Sequence, residues 1–305
     1  IAERIATGPF DRALFDLIAE RIAAAVRAAA ETRVPATLAF GFAEHDELAR
    51  NRAKSPEVDG RMNVVRVAST GGEPIAELVL FPAHPTLLGK ANHELSGDWP
   101  GRLMTAPDRR GVRLLFQGAG GDQSTKLAWT TRGPARVEEY GAAVSRAVAA
   151  VEAEPPARSV PLAWAEARVV LPLVAPGAVP AWLRPAARNV LSGILPAHAR
   201  VGALALGPVT LLVVPAEPVA AVGDAWRAKA APGAEILSVA GDYLGYVERP
   251  DRMAERRGET KRTYYGPELA GRLGAGLAAV TDAVRSATSA AEPALAPVPA
   301  VAGAR

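Results

Sequence analysis

Seven largely apolar runs of strand length punctuate this chain, at 63–68, 75–81, 112–117, 167–173, 201–206, 209–214 and 236–240, and a glycine or proline follows each within three residues. Short runs closed by turn-forming residues read as buried strands rather than helices. A further run, 36–40, follows Pro35. Between the runs lie stretches with apolar residues at helical spacing, over 137–152, 219–230 and 267–290. Strands alternating with helices predict an α/β fold, with mixed sheets flanked by helices and ligands bound at the carboxyl ends of the strands. With 305 residues, 49% of them hydrophobic, the chain can bury a substantial core. We expect one domain over 1–288, built as two lobes joined near 153–185 by Pro155-Pro156 and the Pro-rich stretch 172–185. An Ala/Pro-rich disordered tail is expected over 289–305. No internal repeat is legible.

Near the start, Leu14, Ile18, Ile22 and Val26 recur at i, i+4 and predict an amphipathic helix that packs against the rest of the molecule. The polar segment 43–61 reads as a loop or short helix. The stretch 201–223 has the length of a membrane span, but Pro208, Pro215, Pro218 and Glu217 interrupt it, so a strand pair followed by a helix is the expectation.

The 35 basic and 32 acidic side chains are interspersed, which argues against a nucleic-acid partner despite a formal charge of +3. The chain has no cysteine, so disulfides, thiolate metal sites and cysteine nucleophiles are excluded. A metal would need His, carboxylate or Tyr ligands.

Polar residues just past strand ends are the first candidates for chemistry. His84 follows the 75–81 run, Ser124 follows 112–117 through a Gly-rich turn, Glu217 follows 209–214, and Tyr246 follows 236–240. Three of them have a plainer reading. None of the four histidines has the i, i+4 partner of a helical zinc motif, so on spacing alone His84 is more readily a capping or packing residue than a ligand. Ser124 either meets an oxyanion among backbone N–H groups or caps a following helix. Glu217, before Pro218 at the first position of a helix, is equally an acid that complements the helix dipole.

Taken in order, however, several segments resemble the neutral/alkaline ceramidase family. Val58-Asp59-Gly60-Arg61-Met62 is similar to the family's Val-Asp-x-x-Met, and Gly72-Glu73-Pro74-Ile75-Ala76 to its Gly-x-Pro-Ile-Gly turn. Phe81 to Thr86 resembles Phe-Ala-x-His-Gly-Thr, and Gly121-Asp122-Gln123-Ser124 resembles the Gly-Asp-Val-Ser that bears the active-site serine. Pro215-Ala216-Glu217 resembles Pro-Gly-Glu, and Asp242-Tyr243-Leu244-Gly245-Tyr246 resembles Asn-x-Tyr-x-x-Tyr. The family's His-x-His-Ser-Gly-Pro, which gives the first zinc ligand, is not found in the sequence, and the chain reads as a divergent member missing its N-terminal part.

The resemblance implies a zinc-dependent amide hydrolase that cleaves an N-acyl sphingoid lipid to fatty acid and amine. The implied ligands to Zn2+ are His84, Glu217 and Tyr246, with Ser124 and Tyr246 as catalytic residues. It also implies a lipid-like substrate, peripheral membrane contact, and export or a cell-surface location, although the first residues have none of the features of a signal peptide. Two other readings compete: a non-catalytic lipid- or surface-binding relative that has lost the metal, and a serine esterase. The latter lacks a Gly-x-Ser-x-Gly elbow.

Overall fold

The computed structural model describes residues 9–90 and 92–291. In chain order the elements are α1 (Arg12–Glu31), β1 (Ala36–Glu44), β2 (Ala49–Asn51), β3 (Arg61–Ser69), β4 (Pro74–Phe81), α2 (Asp98–Met104), β5 (Val112–Gln117), β6 (Gln123–Thr125) and α3 (Ala135–Ala150). The second half continues with β7 (Leu162–Val170), α4 (Arg184–Leu191), β8 (His198–Leu206), β9 (Val209–Val213), β10 (Glu217–Pro218), α5 (Ala220–Arg227), β11 (Ala234–Leu237), β12 (Tyr246–Val247), α6 (Pro250–Ala254) and α7 (Leu269–Ala291). The fold is α/β, as the alternation of patterns predicts.

Two four-stranded sheets follow one plan. In the first, β1, β3 and β4 form an antiparallel meander, and β5 returns through α2 to lie parallel beside β4. In the second, β7, β8 and β9 form the meander, and β11 returns through α5 to lie parallel beside β9. Each sheet has its own core. Met62, Val64, Val79 and Phe81 pack on Trp99, Leu103, Tyr140 and Val144 from α2 and α3. Val201, Ala203, Leu212 and Ile236 pack on Val222 and Trp226 of α5 and on Leu273, Leu277 and Val280 of α7. The chain passes from one sheet to the other after α3, where Glu154 N–H and Leu38 N–H bond to Phe40 and Ala157 carbonyls.

Several expectations need correction. The stretch 172–185 connects β7 to β8 within the second sheet rather than joining two lobes. The 43–61 segment contains the end of β1 and all of β2, because pairing with β3 and β6 supplies the backbone partners that its polar side chains gave no sign of. Helix α1 forms as predicted, capped by Asp11, whose side chain accepts from Leu14 N–H at 3.0 Å. It does not pack on the rest of the described chain: Leu14, Ile18, Ile22 and Val26 all stay exposed. Amphipathic spacing sets a face but not a partner. Residues 201–223 form the β8–β9 hairpin, β10 and the start of α5, and among the described residues no helix is long and apolar enough to cross a membrane. The expected tail lies outside the described residues from 292 onward, and α7 runs into its start.

Candidate active site

The repeated plan places polar residues equivalently. After the third strand of each sheet the chain carries His84 or Glu217, and after the fourth it carries Ser124 or Tyr246. The members of each couple then pair in parallel, His84 with Ser124 and Glu217 with Tyr246. Where the sheets meet, Gly121 N–H donates to Pro218 carbonyl at 2.9 Å and Ser238 N–H to Gln117 carbonyl at 2.8 Å. Four side chains scattered through the sequence thus come to one junction.

There, His84 Nε2 lies 2.8 Å from Glu217 Oε2 and 3.0 Å from the Tyr246 hydroxyl. Glu217 Oε1 accepts from the Tyr243 hydroxyl at 2.6 Å. The Tyr246 oxygen also accepts from Arg52 Nη2 at 3.0 Å. Burial raises the Glu217 pKa, but hydrogen bonds from His84, Tyr243 and Tyr246 outweigh it and hold the carboxyl below its ordinary range. Burial pushes the Tyr246 phenol up to about 12; the bond from Arg52 opposes this and the Glu217 charge adds to it. At neutral pH the site therefore holds a carboxylate beside a neutral phenol.

Ser124 is buried on β6, next to His84 through the backbone, and its hydroxyl makes no hydrogen bond among the described residues. It does not cap a helix, since a loop separates β6 from α3. Glu217 is likewise not at a helix start. Glu217 and Pro218 form a strand against β12, and α5 begins at Ala220. Asp122 meets that helix end instead, its Oδ1 accepting from Ala220 N–H at 2.9 Å while Oδ2 accepts from Asn51 at 2.6 Å. The other three histidines lie elsewhere: His45 bonds to Glu47, His93 is exposed, and His198 starts β8.

Arg52, Asp122, Tyr243 and Glu259 are site-building residues that strand-end reasoning missed. Arg52 follows β2, bonds Gly121 carbonyl at 2.9 Å and pairs with buried Glu259 at 3.0 Å. Asp122, a charged residue directly after a glycine turn, carried the one available signal. Gly121 serves close approach: a Cβ there would stand 2.7 Å from Glu217 carbonyl oxygen and 2.8 Å from Pro218 carbonyl. Gly121→Ala is expected to cost about 1–3 kcal/mol through overpacking and to displace Glu217, which denaturant melts and activity assays would read together. Unchanged stability and activity would show that the two sheet ends have slack.

The side chains fit a zinc ion in kind. His84 Nε2, Glu217 Oε2 and Tyr246 Oη are nitrogen and oxygen donors, the last two within 3.0 Å of the first. Among the described residues no group of three or more His, Cys, Asp or Glu is placed to hold a metal, so a ligand set built on His84 and Glu217 would have to draw a third donor from the phenol. His84 Nδ1 is buried without a partner among the described residues.

No protein-family model matches the chain, nor does any curated protein. Solved structures do. The neutral ceramidase from Pseudomonas aeruginosa aligns with a TM-score of 0.71 at 18% identity, over 97% of this chain and 58% of that one. A ceramidase complexed with C2 aligns with a TM-score of 0.67 at 17% identity, over 83% of this chain and 54% of that one. The chain thus spans just over half the length of each, and at these identities the likeness is one of fold: this is a ceramidase-like α/β fold.

Proposed function

We propose that the chain is the site-bearing part of a zinc-dependent amide hydrolase acting on an N-acylated lipid amine. The observation that supports this most is the meeting of His84, Glu217 and Tyr246 beside Ser124, at a junction of two sheets in a ceramidase-like fold.

His84, Glu217 and Tyr246 would hold the ion, which when bound supplies Lewis acidity toward the acyl carbonyl and lowers the pKa of a water. The chain's own groups do the rest. Glu217 stays anionic because three hydrogen bonds stabilise its charge. Tyr246 keeps its proton at neutral pH and offers it to oxygen in the site. Arg52 donates to the phenol oxygen, which leaves the phenol proton for Glu217 on the site side. Ser124, whose hydroxyl has no competing bond among the described residues, is the second donor to an oxyanion. Among the described residues no base accepts a hydrogen bond from its hydroxyl, which argues against a nucleophile.

Ser124→Ala is therefore expected to lower kcat by about 10²–10³, the usual cost of one oxyanion donor, with zinc content unchanged. The assay compares N-acyl sphingosine with a short N-acyl amide and a simple ester. Preference for the ester, with Ser124→Ala dead and Glu217→Ala fully active, would replace this reading with a metal-free serine hydrolase.

A further inference from the structure

Tyr246 is flanked by two guanidinium groups, and they are not equivalent. Arg52 lies 5.5 Å from the ring centroid and Arg262 5.8 Å. Arg52 is committed, with Nε on Glu259 and Nη2 on Gly121 carbonyl and the Tyr246 hydroxyl. Arg262 pairs with Glu259 through Nη1 alone; its Nε and Nη2 have no partner among the described residues, and its side chain is 55% exposed against 23% for Arg52.

Its backbone is nevertheless held in place. Arg262 ends a 3₁₀ turn, Thr260–Arg262, in which Thr260 and the preceding Glu259 are buried. The next residue, Thr263, pairs with Gly245, the residue immediately before Tyr246, and its carbonyl accepts from Gly177 N–H at 2.9 Å. The backbone that presents the phenol is thus tied to the backbone that presents Arg262. The carboxylates nearby are occupied: Glu259 is shared by both arginines, and Glu217 is bonded to His84 and Tyr243. What remains beside the phenol ring is a guanidinium with donors to spare, the group suited to a planar oxyanion.

We propose that Arg262 is a specificity-determining residue that holds an oxyanion carried on the amine half of the substrate, so that acylated amines bearing a carboxylate or phosphate are preferred over neutral ones. This rests on the hydrolase reading above for what is done to the substrate, but not for its binding. A neutral amino alcohol would leave Arg262 to water, whereas an anion gains a charge-assisted hydrogen bond.

The test is calorimetric binding of three ligands with one acyl chain: N-lauroylglycine, N-lauroylethanolamine and its phosphate ester. The unsubstituted protein should bind at least one anionic ligand about 10- to 100-fold more tightly than the neutral one, the equivalent of one charged hydrogen bond. Which anion wins identifies carboxylate or phosphate as the group. Arg262→Gln should erase the preference and Arg262→Lys keep part of it, while binding of the neutral ligand stays unchanged. A merely structural arginine would move all three affinities together. Equal affinities in the unsubstituted protein, or a preference that survives Arg262→Gln, would overturn the assignment. Preferential binding with no turnover of any of the three would instead sink the hydrolase reading and leave Arg262 standing.

Discussion

Glu217→Ala is expected to remove zinc and hydrolysis together, in contrast to Ser124→Ala, which should spare the metal. The substitution deletes a donor and also the anion that organises the others. His84 Nε2 and the Tyr243 hydroxyl both lose their partner at 2.8 and 2.6 Å. Structural zinc binding carries on the order of 10 kcal/mol or more, so losing one donor of a three-residue set should leave the site empty at ordinary concentrations. Activity should fall by about 10³-fold or more, beyond the cost of a lost oxyanion donor. The fold should survive, because Glu217 stands on a two-residue strand and belongs to neither core. Metal analysis, turnover and circular dichroism of the full-length variant would check the three parts. Retained zinc with normal turnover would remove Glu217 from the site.

Glu77→Ala should act on stability instead, with a loss of about 3–5 kcal/mol, the usual cost of leaving one half of a buried ion pair unpartnered. Glu77 and Arg113 side chains are each 1% exposed and 2.7 Å apart, side by side on β4 and β5. Glu77 Oε2 accepts from Arg113 Nε and Nη2 and from Arg110 N–H. Without it, Arg113 keeps bonds to Ser145 and Leu103 carbonyl and a 3.5 Å contact with half-exposed Asp108, but loses its buried counter-charge. A fall in Tm of roughly 10 °C follows for a loss of this size in a domain of this length. Glu77→Gln, which keeps an acceptor, should lose less. Equal and small losses in both variants would show that Arg113 finds solvent by local rearrangement.

The strands were legible because most of them are short apolar runs closed by glycine or proline, and the β8–β9 hairpin turns at Gly207-Pro208, where the reading required it. Strand β7 was placed late because Glu166 interrupts its apolar run, and only the part after it, from Ala167, was read as strand. The repeated sheet plan was invisible: the two meanders share order and direction, which are properties of pairing, and pairing leaves no mark on residue identity. His84, Glu217 and Tyr246 were found as strand-end polar residues. Arg52 and Glu259 were not, because their partnership spans 207 residues and neither follows a long apolar run. The amphipathic face of α1 was read correctly as a face and wrongly as a packed one.

What lies between His84, Glu217 and Tyr246 decides what the site can do. Anomalous diffraction from crystals of the full-length protein, recorded on both sides of the zinc absorption edge, addresses that directly. The prediction is one strong peak within about 2.0–2.2 Å of His84 Nε2, a Glu217 carboxylate oxygen and the Tyr246 hydroxyl. A zinc-loaded protein whose peak lies elsewhere, or a protein that hydrolyses amides with no peak at this junction, would contradict it.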